Sequence, residues 1–432
     1  MRKIIFLFAS LSLFSFCSTA QKLPLADAVN IALKNSLDIE LANNRVAADS
    51  IRNNIGYAGG LPLVTGGLSD NEQVTSVNQK QNSGADIQRN NAAANNLSAN
   101  ITGSILLYNG GRVVATRQRL SILQLQSREL LNSQVQNILA NVMVAYYDVV
   151  RQQNYIKTID LSIDASNKQL DIVKVRRQVG LANNADLFQA QIDLNVLQQA
   201  KLAQQLVIDQ SKTELLRLLT LKPDSSITIE DTIIVDKSIV LENILNSLTK
   251  NADIKAAESQ VRINELIVRE TAAQRYPSVR ATTGYAFTRN QAAAGQLLLN
   301  QNYGPTIGVA LTIPIYNGSI YRRQQQVAKI DVRNADIQKQ VLLRDYGAQV
   351  VKQFQAYTNT INQLDSALQN YKLSGQLLDL ALLRFQYKQA TIVEVKNAQQ
   401  SFQESGFRLV NLNFAAKSAE IELKRLANVL AP

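Results

Sequence analysis

The stretch Ile105-Leu106-Leu107-Tyr108-Asn109-Gly110-Gly111-Arg112 occurs a second time, in similar form, as Ile313-Pro314-Ile315-Tyr316-Asn317-Gly318-Ser319. Each copy ends a run of residues that alternates with period two, and each is followed by a long helical pattern. The glycines let the backbone turn where a strand becomes a helix. The two tyrosines are 208 residues apart (316 − 108), and other segments repeat at the same offset. The chain is therefore a duplication of one architecture.

The alternating runs predict four β-strands, two before each copy of the turn. In the clearest run, Leu97, Ala99, Ile101, Gly103, Ile105 and Leu107 share one face, and Ser98, Asn100, Thr102, Ser104 and Leu106 share the other. Similar runs cover Leu63 to about Val74, Val279 to Phe287 and Ile307 to Ile315. A half-buried soluble sheet also alternates. Runs of about 9 to 11 residues, however, suit a tilted strand that crosses a bilayer. The polar stretches 78–96 and 289–303 are expected to be loops.

Helical patterns fill most of the remaining chain. One runs from Leu25 to about Ala58 and its counterpart from Leu241 to Arg275, and each stops near a proline, Pro62 or Pro277. Longer patterns run from Arg112 to Val179 and from Asn184 to about Leu221, and the second half turns near residues 388–390 and returns to about Leu430. Their apolar residues recur at steps of 4 and 3, which indicates left-handed coiled packing of long hairpins.

Composition narrows the function classes. The 432 residues include no histidine and one cysteine, Cys17, and 46% of them are hydrophobic. Residues 1–20 read as a signal peptide, with an N-terminal membrane helix or lipidation of Cys17 as alternatives. The net charge of +11 comes from scattered Lys and Arg, which indicates a solvated surface and no nucleic-acid site. Without histidine, a cysteine in the mature chain or a metal-ligand cluster, we expect no enzyme, no cofactor and no metal site.

Four membrane strands cannot close a barrel, because the smallest common barrels have about eight. An open sheet edge in lipid would leave backbone groups unpaired. Other copies of the chain must therefore complete the sheet, with two copies giving eight strands and three giving twelve. Lipid would then surround the strands.

The ordered, duplicated set of motifs resembles the TolC family of outer-membrane efflux proteins. The matching positions are Pro62, Tyr108, Gly110, Gly111, Pro277, Pro314, Tyr316 and Gly318 at the strand–helix transitions, together with the hairpin tips at residues 176–190 and 384–398. The resemblance implies a mainly α fold with a membrane β part, in a homotrimer. Duplicated long-helix hairpins would form a trimeric α-barrel tunnel joined to a twelve-stranded β-barrel in the outer membrane of a Gram-negative bacterium, with a periplasmic extension.

The same resemblance implies an exit duct of a tripartite efflux or type I secretion system. It would be a passive conduit for small molecules or peptides, driven by an inner-membrane pump of the RND or ABC type through a periplasmic adaptor. The two structural repeats would cover residues 21–238 and 239–432. A secreted coiled-coil scaffold or adhesin, with the strands in a soluble sheet, is the alternative.

Asp186 and Glu394 occupy equivalent positions at the two tips (394 − 186 = 208). In a three-fold tube each would form a ring of carboxylates that attracts cations. Either acid could instead serve only as a cap in the first turn of a helix. The family's described gate ties the first acid with an aromatic hydroxyl and an arginine, but Phe385 and Ala390 stand at those positions, and Asn397 replaces a second carboxylate. We expect a different gate, with Arg384 or Lys388 holding it.

The tips also carry the expected adaptor-docking residues. Val179, Gly180 and Leu181 match the family pattern at the first tip, with an ordinary helix-ending turn as the alternative. Lys388 and Gln389 stand at the second tip, where Lys388 replaces a glycine, so docking is not expected to be symmetrical. Arg280 lies on the inward face of its strand and either lines the pore or is simply solvated.

Overall fold

A computed structural model describes residues 21–80, 82, 84–294 and 297–430. The expected signal peptide, residues 1–20, and the possible lipidation site Cys17 lie outside the described residues. Eight α-helices are present in the described part of the chain. They are α1 (Leu25–Asn35), α2 (Leu37–Arg52), α3 (Arg112–Gln178), α4 (Asn184–Leu218), α5 (Leu241–Ser247), α6 (Ala252–Ala273), α7 (Ile320–Gln386) and α8 (Ile392–Leu426).

The duplication is visible in the helix lengths. Both α3 and α7 have 67 residues, and both α4 and α8 have 35 residues. Each pair begins 208 residues apart (320 − 112 and 392 − 184). None of the described helices is both long enough and apolar enough to cross a membrane.

Six strands accompany the helices in the described residues. They are β1 (Gln21–Lys22), β2 (Leu63–Gln79), β3 (Ile87–Asn109), β4 (Ile227–Thr228), β5 (Ser278–Ala292) and β6 (Leu299–Thr312). β1 pairs with β4 in parallel, whereas the other four form one antiparallel sheet in the order β2-β3-β5-β6. Within the described chain, β2 and β6 each pair on one side only, and they are the two edges of this sheet.

The strands are longer than the sequence predicts. β3 has 23 residues, and its pairing with β2 continues to Gln79 opposite Ile87. Most of the stretch 78–96 is therefore strand rather than loop. β5 and β6 likewise extend into the stretch 289–303. Hydrogen bonds between neighbouring strands satisfy the backbone N–H and C=O groups even where no face of the sheet is buried. The strands therefore continue beyond the point where apolar and polar residues stop alternating.

The predicted continuous helix from Leu25 to about Ala58 is interrupted at Ser36. The extended backbone of Ser36 (ψ 120°) ends α1, and its Oγ accepts a hydrogen bond of 3.4 Å from the backbone N of Ile39 at the start of α2. Serine caps a helix in this way because its oxygen satisfies a free N–H group. The counterpart in the second half is also interrupted, by a short 3₁₀ helix at Leu248–Lys250 between α5 and α6.

The chain divides into two compact units, and each contains segments of both repeats. The helical unit comprises the described parts of Met1–Leu41, Asn132–Asn251 and Arg344–Pro432. In its core, the hydroxyl of the fully buried Tyr146 donates to the backbone O of Leu23 (3.0 Å) and to Oδ2 of Asp231 (2.6 Å). Burial, followed by the bond to Asp231, raises the pKa of Tyr146. This tyrosine therefore anchors the strand pair β1–β4 to α3 as a neutral donor.

The sheet unit comprises Ala42–Leu131 and Ala252–Leu343. The strand register puts Leu68, Ala99, Phe287 and Tyr303 in one row across the sheet, and Gly66, Ile101, Tyr285 and Pro305 in the next row on the same face. The opposite face has rows such as Ser69, Ser98 and Thr288. The sheet thus has one apolar face and one polar face, as the period-two alternation predicts.

The repeated Tyr-Asn-Gly turn lies where the sheet strands pass into the long helices. Gly110 and Gly111 both have positive φ angles, +68° and +82°, between β3 and α3. Gly318 has φ +65° before α7. Pro62 and Pro277 directly precede β2 and β5, and Pro314 and the exposed Tyr316 lie between β6 and α7. The left-handed conformation explains the glycines at these turns.

We predict that Gly110→Ala destabilises this junction strongly. A Cβ at Gly110 would lie 2.7 Å from the backbone O of Ala273 and 2.7 Å from Cβ of Tyr276, whereas a Cβ at Gly111 meets nothing within 4 Å. Left-handed strain alone costs about 1–2 kcal/mol, and overpacking adds about 1–3 kcal/mol. Gly111→Ala is the matched control, because it carries only the strain. Heating the purified protein in detergent should give a clearly lower midpoint for Gly110→Ala. Equal midpoints would contradict the close contact.

Candidate functional site

The two hairpin tips end their first helices with the same backbone geometry. After α3, the N of Leu181 donates to the O of Arg176 (2.7 Å), and Gly180 has φ +73°. After α7, the N of Gln389 donates to the O of Arg384 (2.8 Å), and Lys388 has φ +60°. Lys388 therefore takes the left-handed conformation that a glycine takes at the first tip. A side chain in this conformation costs about 1–2 kcal/mol relative to glycine.

Both acidic residues of the tips are fixed by capping boxes. Oδ1 of Asn183 accepts from the N of Asp186 (2.8 Å), and Oδ2 of Asp186 accepts from the N of Asn183 (3.3 Å). Thr391 and Glu394 form the same pair of bonds at the second tip, at 3.2 and 3.3 Å. Each acid thus caps the N-terminus of its helix. Capping places each carboxylate beside a helix N-terminus, and this position is compatible with a role in a ring.

The remaining residues expected at the gate lie around these caps. Nη1 of Arg384 is 3.9 Å from Oε2 of Glu394, within the second hairpin, and Nη2 of Arg384 donates to the O of Gln389 (2.9 Å). Lys388, Gln389 and Asn397 are exposed. Arg384 therefore stiffens its own tip, and the structure records no bond from it to the first hairpin among the described residues.

Two contacts that the sequence did not suggest join the first hairpin to the second. The guanidinium of Arg176, at the end of α3, lies 4.3 Å from the ring centre of Phe385 on α7, and Nη2 of Arg176 donates to the backbone O of Phe385. In addition, Nζ of Lys396 on α8 lies 2.9 Å from Oδ1 of Asp193 on α4. We call these two contacts the tip bridges. Both pair residues more than 200 positions apart, which is why local pattern reading missed them.

An apolar cluster beneath the tips holds the four helix ends together. Phe385 is 4% exposed, so the aromatic residue that departs from the family pattern is a core residue here. The cluster comprises Ala165, Leu170, Val173, Ala190, Leu194, Leu378, Ala381, Leu382, Phe385, Val395, Ala398 and Phe402. Val179 and Leu181, in contrast, are 62% and 55% exposed at the extreme end of the first hairpin. No group of three or more Cys, Asp or Glu side chains in the described chain is arranged to hold a metal ion.

Comparison with known proteins identifies this architecture. Residues 28–220 match the family model described as "Outer membrane efflux protein". The chain is 24% identical over 308 residues to the outer membrane protein TolC of Vibrio cholerae, which covers 68% of each chain. The chain therefore resembles the TolC-type outer membrane efflux proteins. It is also 23% identical over 359 residues to Escherichia coli TolC, covering 79% of this chain and 70% of that protein.

Solved structures of this efflux family share the fold. The Campylobacter jejuni outer membrane channel CmeC superposes with a TM-score of 0.77 at 16% identity, covering 94% of this chain and 85% of that one. The outer membrane protein VceC of Vibrio cholerae gives 0.75 at 20% identity, covering 94% and 96%. The chain is accordingly a TolC-like efflux protein of the Gram-negative outer membrane with a periplasmic extension. A location in the outer membrane is incompatible with the alternative of a secreted scaffold. The outer membrane efflux family consists of channels rather than enzymes.

Proposed function

We propose that three copies of this efflux protein form a twelve-stranded barrel that continues into an α-helical tunnel, and that the assembly is the exit duct of a tripartite efflux or type I secretion system. The observation that carries the proposal is the four-stranded sheet with two free edges and one apolar face. A single chain leaves the outer edges of β2 and β6 unpaired, so insertion into lipid needs the β6 edge of one copy to pair with the β2 edge of the next.

The apolar face has the height that a bilayer requires. On β6 it runs from Tyr303 to Leu311, and Ile307 at its middle is 91% exposed in the single chain. Nine residues span about 27 Å along a strand, or roughly 21 Å after a tilt of about 40°, close to the apolar band of outer-membrane barrels. Asp70, Glu72 and Arg289 share this face but lie beyond Tyr303, on the far side from the helices. The face therefore supports lipid contact over a limited band.

We further propose that the hairpin tips contact the periplasmic adaptor. The exposed Val179 and Leu181 flank Gly180 at the first tip, and Lys388 and Gln389 stand at the second. A photo-crosslinking amino acid at Val179 should capture a periplasmic adaptor of an RND or ABC pump, identified by mass spectrometry. The matched control is the exposed Gln205 within α4. Capture from both positions, or from neither, would contradict docking at the tip.

The tip carboxylates are expected to favour cations at the tunnel mouth. For three charges at a radius of about 8 Å, the attraction of about 1.5 kcal/mol in water falls to roughly 0.6 kcal/mol after screening, or a two- to threefold enrichment. Glu394→Gln should remove the contribution of the Glu394 ring to this enrichment, while the Asp186 ring remains and a glutamine still caps α8. The reversal potential across a KCl gradient in planar bilayers measures it, with the exposed Glu404→Gln on the same helix as control. An unchanged reversal potential would contradict the ring.

A further inference from the structure

Between its helix end and the register shift at Thr75 and Val77, the polar face of the sheet carries a single charged side chain. The register assigns to this face odd residues of β2 up to Thr75, even residues of β3 from Ala92, and even residues of β5 and β6. In that part of the described sheet, every side chain on the face is small, amide, hydroxyl or aliphatic except Arg280. Arg280 lies opposite Leu106 near the helix end of the sheet. This part of the polar face therefore has one charged position per chain.

A second arginine shares a cavity with it. Arg280 and Arg112, the first residue of α3, line the same cavity of about 700 Å³ within the sheet unit, together with Ser104, Asn109 and Ser278. Nη1 of Arg280 donates to Oγ of Ser104 (3.4 Å), which directs the guanidinium along the polar face. No acidic residue lines the cavity. Neither guanidinium has an ion pair with a carboxylate among the described residues.

The position of Arg112 opposes the local electrostatic preference. A cation at a helix N-terminus is disfavoured by the helix dipole, and the first turn of α3 contains no acidic residue to compensate. Helix stability alone would favour Asp or Glu at this position. Two unpaired guanidiniums around one cavity give instead a field that attracts anions, and guanidinium groups bind carboxylate and phosphate oxygens in a bidentate manner.

We propose that Arg112 and Arg280 form an oxyanion-binding site where the barrel passes into the tunnel, and that this site binds the carboxylate or phosphate groups of anionic cargo in transit. The inference rests on the proposed channel, because assembly of three copies brings six guanidiniums around one lumen. The site lies in the sheet unit, whereas the carboxylates of the tips lie in the helical unit. The two sets of charges can therefore be tested separately.

The experiment measures current block in planar bilayers that contain the full-length protein, with citrate or inorganic phosphate as the probe. We expect citrate to block the wild-type channel at concentrations at least tenfold below those of phosphate. Arg280→Gln and Arg112→Gln should each raise the half-blocking citrate concentration about tenfold, and Arg280→Lys should do so by less. Arg289→Gln is the control, because Arg289 is on the same strand but on the apolar face beyond the lipid band.

Each outcome distinguishes the site from the channel. Normal conductance with no block by citrate, or equal block of Arg280→Gln and Arg289→Gln, overturns the oxyanion site and leaves the channel standing. Citrate carries three carboxylates, so equal potency of citrate and phosphate contradicts joint binding of one anion by several of the six guanidiniums. Absence of any conductance from the wild-type protein overturns the proposed channel and the site with it.

Discussion

Ile307→Lys is expected to abolish assembly of this efflux protein in the outer membrane. Ile307 lies at the middle of the apolar face of the edge strand β6 and is 91% exposed in the single chain. In a soluble sheet, lysine at such a position would be neutral or favourable, because the side chain already contacts water. On the lipid face of a barrel, lysine at the bilayer midplane costs about 2–4 kcal/mol, and three copies each bear this cost.

Thr306→Lys is the matched control, because the neighbouring residue points to the polar face of the same strand. Its lysine would lie in the water-filled lumen, so assembly should be close to wild type. The measurement is the amount of each variant recovered from purified outer membranes as a heat-modifiable oligomer. Comparable yields of the two variants would contradict the assignment of the apolar face to lipid.

Arg176→Ala is expected to open the periplasmic end of the tunnel and raise single-channel conductance several-fold. Arg176 is the residue of the first hairpin that contacts the second through the ring and the carbonyl of Phe385. A cation–π contact of a partly buried arginine contributes about 1–2 kcal/mol, and a hydrogen bond from a charged donor contributes about 1.5–3 kcal/mol. Removing both would leave the Asp193–Lys396 contact as the remaining tip bridge.

Arg177→Ala controls for the loss of one positive charge, because Arg177 is adjacent and exposed. Single-channel recordings should show a larger conductance for Arg176→Ala and an unchanged one for Arg177→Ala. Adding Asp193→Asn to Arg176→Ala should increase the open fraction further, since it weakens the second tip bridge. Equal conductance of the two arginine variants would show that the contact with Phe385 does not hold the tunnel closed.

Local patterns predicted most of the architecture. The repeated Tyr-Asn-Gly turn and the 208-residue offset indicated a duplication, and α3 and α7 do have the same length. Gly180 indicated the end of the first long helix. The two faces of the sheet also follow from alternation alone. These features depend on periodicity or on the backbone freedom of glycine, both of which a single sequence displays.

The features that the sequence did not reveal depend on distant partners. The first ten residues of β3 lack apolar alternation, and pairing with β2, joined by β5 from Ala94 onward, makes them a strand. Arg176 and Phe385 are far apart in sequence, and nothing local to either residue signals their stacking. Arg384 or Lys388 was expected to hold the gate, and that expectation stays a prediction. Arg384 contacts Glu394, which belongs to its own hairpin. The tip bridges offer a different hypothesis, which the Arg176 variants test.

The mass of the detergent-solubilised particle from outer membranes, with bound detergent subtracted, tests the central claim most directly. Light scattering coupled to size-exclusion chromatography would provide it. Three copies per particle would give the twelve strands that close the barrel, with the β6 edge of each copy paired with β2 of the next. A monomer or a dimer would contradict closure, and the lumen, the carboxylate rings and the oxyanion site would lose their basis.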